Sequence, residues 1–460
     1  MPDATAILAD FEPIVGTGHV LVGEAISDDY AHDEALTATP TMPLAVVRPG
    51  TAQEVAALLK LADEKRIPVT ARGAGTGLSG ACIPRADGIV VSLERMNRIL
   101  EVDEENSVAV VEPGVRLDQL DEELRERGLV YPVYPGEYSA SLGGNVSTNA
   151  GGMRAVKYGV TRQNVLGIEA VLVSGEIIES GGKFIKGSTG YDLTQLIIGS
   201  EGTLAIVTKA YLRLCHRPEH GATVLAPFAT LEEVTAAIPK VVASGVGPLM
   251  LEYIDLMTMA AMTDQLDLKL GVRDDIREKA LAYLVVALEN TSKERLDEDT
   301  VTVGEQLAAF GALDVYVLQP RAATEIIEAR ERAFWLAKGN GANDVIDVVV
   351  PRAAIAAFMK RVAEISQETQ SLIVGCGHAG DGNVHMAIFQ PDEGLRSRAL
   401  KGLFQTGIGL GGAISGEHGI GKEKKSYYLE LEDPTKIALM RGIKATFDPN
   451  GILNPGTVFD

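Results

Sequence analysis

Histidine is scarce in this 460-residue chain, seven in all, yet two of them bracket one glycine turn in HAGDGNVH, His378 to His385. A third lies in a second glycine-rich segment, SGEHGIGKEK, as the pair Glu417-His418. Two imidazoles and a carboxylate are a common N/O donor set for a zinc-like or manganese-like divalent ion, with positions left open for another ligand. A lone histidine is more often structural than ligating. Two in a Gly-Asp-Gly turn, with a Glu-His pair in a second glycine segment, point instead to a metal centre. Asp381 and Asn383 read either as turn residues or as supports for the ligands.

Glycine is abundant (49 residues) and clustered. The segment ARGAGTGLSGACIP, Ala71 to Pro84, has the composition of a loop whose successive amides can face an anion. Gly75, Gly77 and Gly80 formally match GxGxxG, but a dinucleotide-binding turn must run straight into a helix. Here Pro84 and Asp87-Gly88 break any helix and a strand pattern follows, which excludes that reading. A purely structural loop remains the alternative for this segment alone. Two further elements shift the balance: Pro135 to Gly152, rich in glycine and small polar residues without periodicity, and Gly199 to Thr208, which ends in a strand.

The elements that must position these residues divide into two textures. Residues 51–65 read as a helix with a Thr51/Glu54 capping box and one apolar face of Val55, Leu58, Leu59 and Ala62. Short strands are expected at 69–72, 88–93, 98–103 and 107–112. A helix is expected at 117–127, stopping at Gly128, and a strand pair turns at Ser174-Gly175. Beyond about Arg217 the segments lengthen and alternate, with strands expected at 249–254, 282–289, 313–318, 344–350, 371–375 and 384–389. From about 426 the chain reads as helical and then turns. The expected organisation is α+β: residues 1–217, residues 218–425 carrying the metal site, and a 426–460 segment that packs back on the first unit.

The three glycine elements in this order closely resemble the flavin domain of the vanillyl-alcohol oxidase superfamily, the PCMH-type FAD-binding fold, over roughly residues 40–217. The resemblance implies that the first loop cradles the FAD pyrophosphate through Arg72, Gly73, Ala74, Gly75, Thr76, Gly77 and Ser79. It implies that Pro135, Gly136, Ser141, Gly143, Gly144, Asn145, Ser147 and Asn149 run along the flavin. Glu201, Gly202 and Ile206 are expected on the adenine or ribose side. No histidine stands in the first loop, so FAD is expected to be non-covalent; Cys82 lies in the pyrophosphate loop, a poor place to reach the flavin ring. HAGDGNVH with GEHGIG, and LNPGTVF at the end, resemble the C-terminal domain of FAD-linked oxidases such as glycolate oxidase catalytic subunits, D-lactate dehydrogenases and D-2-hydroxyglutarate dehydrogenases. Thr457 replaces the usual lysine of that ending.

Carried over by motif, His378, His385 and Glu417 are the expected ligands of a divalent metal, zinc first, with manganese or iron as alternatives. His418 is the expected general base. In EARERAFWLAKG, Arg330 falls where the family places its substrate arginine, with Arg332 as competitor and a solvated face among Glu325, Glu328 and Glu331 as the plain alternative. The resemblance implies oxidation of a D-2-hydroxy acid to the 2-oxo acid by hydride transfer to the flavin. Positions that carry polar residues in the hydroxyglutarate branch are Phe334, Val345 and Ala387 here, which tilts the reading towards a small or apolar side chain, that of glycolate, D-lactate or a longer 2-hydroxy acid, with a D-2-hydroxyglutarate dehydrogenase or the flavin-binding subunit of a multi-protein glycolate oxidase as the alternative.

Bulk properties agree. Net charge is −21 with pI near 4.8, which argues against nucleic acid and anionic membrane partners. No apolar run approaches the roughly 20 residues of a membrane span, and the first residues lack a secretory pattern. Cys82, Cys215 and Cys376 are far apart, which excludes a four-cysteine cluster and fits a cytoplasmic location. Electrons must therefore leave to an external acceptor: an electron-transfer flavoprotein, a quinone, a cytochrome or an iron–sulfur partner. A homodimer is one option for assembly. An oxidase, a catalytically silent flavin subunit and a metallohydrolase are the competing readings. Silent subunits should lack the histidines, and a hydrolase needs no flavin cradle.

Overall fold

The computed structural model describes residues 4–459. A mixed sheet of order β1-β2-β4-β3 comprises β1 (Val20–Val22), β2 (Ala45–Val47), β3 (Val69–Arg72) and β4 (Ile89–Ser92). An antiparallel sheet of order β5-β6-β10-β8-β9 follows, from β5 (Ile99–Asp103), β6 (Val108–Val111), β8 (Val165–Val171), β9 (Ile177–Gly181) and β10 (Ile206–Arg213). A two-stranded ribbon joins β7 (Leu129–Val130) to β11 (Cys215–His216).

The rest of the chain builds a seven-stranded antiparallel sheet of order β15-β12-β14-β13-β17-β18-β16. Its strands are β12 (His220–Phe228), β13 (Met250–Asp255), β14 (Ala282–Asn290), β15 (Tyr316–Val317), β16 (Asp344–Val349), β17 (Leu372–His378) and β18 (Asn383–Phe389). Helices Leu231–Ala243, Ile355–Glu368 and Glu393–Gly409 cover one face through Val234, Phe358 and Phe404.

Alternation along the strands decides what this sheet does. Leu251 and Tyr253 of β13, Ile346 and Val348 of β16, and Val384, Met386 and Ile388 of β18 point into that helix-covered core. The intervening positions face the other way. Register then aligns Glu252 with His378, Cys376 with His385, and His385 with Asp347. Polar side chains from four adjacent strands thus share one face.

Several elements differ from the sequence expectation. The strand expected at 371–375 runs on to His378, so HAGDGNVH is a β-hairpin and both histidines sit in strands. Its turn closes tightly: Gly382 has φ +91°, and a Cβ there would lie 2.0 Å from the Val350 carbonyl. The loop expected over 135–152 contains the helix Leu142–Thr148, capped by the Ser141 hydroxyl and ended by left-handed Asn149. Leu142 and Val146, one turn apart and buried, anchor it, so packing overrides two poor helix formers, Gly143 and Gly144. The strand expected at 313–318 shrinks to β15, while β12 and the helix Ala4–Val15 were not anticipated. At helix Ala52–Lys65, Thr51 caps Glu54 as expected, but the Glu54 carboxylate reaches Gly50 N rather than Thr51 N.

Buried polar contacts around the loop after His418 are among those that tie the two halves together. The buried Glu201 carboxylate, in the loop before β10, accepts from the amides of Ile420 and Gly421, both at 2.8 Å. The Ser79 carbonyl accepts from Lys422 and Glu423 N. After helix Pro434–Phe447 the last residues return to the first sheet: Val69 and Leu453 form a parallel bridge, and Asn454 Nδ2 donates to the carbonyls of Ala81 and Glu201. Glu201→Ala would leave the buried Gly421 amide without an acceptor. We expect a stability loss of about 1–3 kcal/mol, read as a lower urea midpoint with an unchanged slope, and a smaller loss in Glu201→Gln.

Candidate active site

The polar face of the sheet supplies His378 from β17 and His385 from β18, and the loop 415–419 brings Glu417 over them. Glu417 Oε1 lies 3.2 Å from His378 Nε2 and 3.1 Å from His385 Nε2. One donor atom from each of the three falls within 4.8 Å of the others, a spacing that can hold a divalent ion. The electrostatics suit a cation. Burial works against protonating His378, yet the carboxylates of Glu252 and Glu417 outweigh it and push its pKa up to about 10. His385 is held below its ordinary value, chiefly by burial. Burial would raise the Glu417 carboxyl, but the two histidines hold it well below the carboxylate range.

Two residues that sequence reasoning did not single out support this group. Glu252 accepts from His378 Nδ1 at 2.9 Å and sets its Nε2 towards Glu417. Asp347, fully buried, gathers the loop: its Oδ2 accepts from the amides of Gly416, Glu417 and His418 at 3.0, 2.7 and 2.8 Å. Its carboxylate also meets the Ser415 hydroxyl at 2.9 Å and Lys424 Nζ at 2.7 Å. His418 Nδ1 stands 3.4 Å from the same carboxylate. Burial pushes the His418 imidazole down to about 4, with Asp347 opposing, so the ring is neutral at pH 7. The signal for both acids was present in the sequence as a carboxylate at a core-strand position, where carboxylates are rare unless partnered.

Arg330 ends helix Pro320–Glu331 and turns inward, 8% exposed, whereas Arg332 is exposed. Its Nε lies 2.9 Å from Glu252 Oε2 without hydrogen-bond alignment, and its Nη2 is buried with no partner among the described residues. Arg330, His378, His385, Glu417 and His418 all line one cavity of about 510 Å³, as do Phe334, Val345 and Ala387.

A second space of about 140 Å³ adjoins it, sharing Thr76, Leu78, Pro135, Glu137, Glu417 and His418. One side is the first glycine loop, Gly73, Ala74, Gly75, Thr76 and Gly77; the other is Ser141, Gly144 and Asn145. Gly136 lines the larger cavity. Asn145 Nδ2 is buried there with no partner among the described residues, a donor suited to a polar ligand such as a flavin nucleotide. Thr148, Ala150 and Gly151 also line this space and were not anticipated. The other expected contacts stand behind the lining. Arg72 Nη1 donates to the His32 carbonyl at 2.6 Å, and Ser147 Oγ donates to the Gly143 carbonyl at 2.8 Å. Ser79 and Glu201 hold the loop after His418, Asn149 caps its helix, Gly202 follows Glu201, and Ile206 is buried in the apolar core.

A model of the FAD binding domain matches residues 43–181, and a model of the C-terminal domain of FAD linked oxidases matches residues 217–458. The chain belongs to the FAD-linked oxidase family. It is 57% identical over 451 residues to an uncharacterised FAD-linked oxidoreductase of Mycobacterium tuberculosis, covering 98% of each chain. It is 39% identical to a D-lactate dehydrogenase of Archaeoglobus fulgidus, covering 94% of this chain and 96% of that one. Among solved structures, p-cresol methylhydroxylase superposes with a TM-score of 0.78 at 18% identity, covering 99% and 97%, so the PCMH-type fold is shared. This FAD-linked oxidase is accordingly an FAD-dependent oxidoreductase of the group that holds D-lactate, glycolate and D-2-hydroxyglutarate dehydrogenases. Among the described residues no helix is long and apolar enough to cross a membrane.

The Asp347 cluster is testable without any substrate. Asp347→Asn leaves Lys424 buried without its counter-charge, and we expect a loss of about 3–5 kcal/mol in urea unfolding. Lys424→Met in the same background should recover part of it, a coupling that a simple packing defect would not show.

Proposed function

We propose that this enzyme oxidises a D-2-hydroxy acid, of the D-lactate or glycolate type, to the 2-oxo acid. The observation that carries the reading is the unpartnered, buried Arg330 Nη2 in the cavity that also holds the His378/His385/Glu417 triad and His418. A buried guanidinium with a free donor calls for an anion, and a carboxylate fits its planar fork.

In this reading Arg330 binds the substrate carboxylate and orients C2. His378, His385 and Glu417 hold a divalent ion, zinc first. Such an ion supplies Lewis acidity that lowers the pKa of a bound hydroxyl. FAD, held non-covalently between the first loop (Gly73 to Gly77) and the Pro135–Asn145 stretch, supplies the hydride acceptor. His418 takes the hydroxyl proton. Its Nδ1 faces Asp347, which leaves Nε2 as the accepting atom, and burial keeps that ring neutral and ready. The C2–H electron pair leaves as hydride while the O–H proton goes to His418, so one two-electron oxidation is balanced by one flavin reduction. An external acceptor then reoxidises the flavin, since no cysteine cluster stands in the chain. The three scattered cysteines, Cys82, Cys215 and Cys376, support a cytoplasmic location for it.

Anaerobic bleaching of the flavin absorbance tests this directly. D-Lactate or another D-2-hydroxy acid should bleach the protein, chelation should abolish the effect, and added zinc or manganese should restore it. A yellow protein that no D-2-hydroxy acid bleaches, with metal supplied, rules the proposal out. His418→Gln should keep its colour and metal content but lose about 10²–10⁴-fold in rate. Arg330→Lys should raise KM tenfold or more by replacing a bidentate fork with a point charge.

A further inference from the structure

The larger cavity runs from flavin-side residues, Thr76, Pro135 and Gly136 among them, past the triad to an apolar end away from both. Its triad end carries Arg330, His378, His385 and Glu417, and its border with the glycine-loop space runs through Thr76, Leu78 and Pro135. Beyond both lies a chamber that shares no residue with that smaller space. Helix Leu256–Leu266 presents Met257, Ala261 and Gln265 to it, one turn apart, while Met259 and Met262 turn into the core behind. Phe334 and Trp335, from helix Ala333–Gly339, form a second wall.

The sheet forms the floor by the same alternation that builds the triad. Val345, Ala387 and Val374 are aligned across β16, β18 and β17, one pleat step along from Asp347, His385 and Cys376. An apolar strip thus leads away from the metal ligands, and Leu372 and Phe389 continue it. It does not end in a wall. Met257, Trp335 and Leu372 are 54%, 44% and 44% exposed, so the chamber opens through an apolar mouth.

Charge in the chamber narrows the choice. Arg330 is the guanidinium of the lining, and it stands at the triad end. Glu331 and Glu34, the latter paired with Lys338 at 2.6 Å, line the remainder. A second carboxylate on the substrate would meet negative charge and apolar carbon there.

We infer that the substrate side chain is extended and apolar: a D-2-hydroxy monocarboxylic acid with an aliphatic chain of about four or more carbons beyond C2, or an aromatic equivalent. This rests on the 2-hydroxy-acid reading above and specifies its side-chain pocket. Glycolate and lactate would leave the chamber unfilled, and each added methylene finds apolar surface to cover.

Two measurements on the FAD-loaded, metal-loaded enzyme test it. The first is anaerobic flavin reduction by D-lactate, D-2-hydroxyhexanoate, D-2-hydroxyoctanoate and D-2-hydroxyglutarate. The second is calorimetric binding of pyruvate and 2-oxooctanoate, which needs no turnover. We expect kcat/KM for the six- or eight-carbon acid to exceed that for D-lactate by roughly tenfold or more, hydroxyglutarate to be the poorest, and 2-oxooctanoate to bind at least tenfold tighter than pyruvate. Ala261→Trp, which fills the chamber away from the triad, should cut the long-chain values about tenfold and leave those for D-lactate unchanged. If D-lactate or hydroxyglutarate is the best reductant and pyruvate binds as tightly as 2-oxooctanoate, the apolar-chain inference is overturned while the hydroxy-acid reading stands. If 2-oxooctanoate binds tightly and Ala261→Trp blocks it, yet no hydroxy acid reduces the flavin, the chamber is upheld and the hydroxy-acid reading falls.

Discussion

The site hangs on one buried carboxylate. Asp347 has no solvent exposure, and a charge in that position is costly unless fully partnered. It is partnered by three consecutive amides, the Ser415 hydroxyl, the Lys424 ammonium and the edge of His418. No regular element fixes loop 415–419, and the convergence of those donors on one point holds it instead. The loop carries Glu417 and His418, so Asp347 is what holds the Glu417 carboxylate against the two strand histidines. The sheet contributes rigidity, and Asp347 converts that rigidity into a position for groups that are not in the sheet.

The second constraint is docking between the halves. Glu201, next to the flavin-side loops, bonds the Ile420 and Gly421 amides, two and three residues beyond His418. The loop is therefore held from beneath by Asp347 and from the opposite half by Glu201. Glu417 and His418 are also among the residues that line both cavities, with Thr76, Leu78, Pro135 and Glu137 from the other half. A shift between the halves would move the two cavities relative to each other through this one loop. The chemistry needs the glycine-loop space and the triad side by side, so the shared lining is where that demand is met.

What could be read in the sequence and what could not follows a physical line. His378, His385 and the Glu417-His418 pair were legible because they are rare residue types in short glycine-rich motifs. The strand-and-helix pattern was legible wherever apolar periodicity was strong, as in Ala52–Lys65. Glu252 and Asp347 showed only as acids inside apolar strands and their roles did not, because each pairs with a motif residue 126 and 71 positions away, and only register brings them together. Each lies inside an apolar strand that carries a second acid at its end, Asp255 in β13 and Asp344 in β16, and local pattern gives neither inner acid a partner. Arg330 sat among glutamates on a charged helix, and only the fold shows that it points inward while Arg332 points out. Helix Leu142–Thr148 escaped notice because two glycines hide its apolar pair, and its stability comes from the core beneath it.

Glu252 joins two functions that look separate. Its carboxylate, 2% exposed, touches His378 Nδ1 through Oε1 and stands against Arg330 Nε through Oε2. If His378 ligates through Nε2, its proton must sit on Nδ1, and Glu252 is the acceptor that fixes this tautomer. The same anion balances the buried guanidinium and sets the angle of its fork. One carboxylate thus sets the orientation of both the His378 ring and the Arg330 guanidinium. Its position opposite His378 on β13 is a consequence of strand register, since a slip of one residue would turn Glu252 into the helix-covered core. The apolar residues on the core face, Leu251 and Tyr253 among them, forbid that slip, so the hydrophobic pattern of the far side of the sheet is what keeps the catalytic side in register.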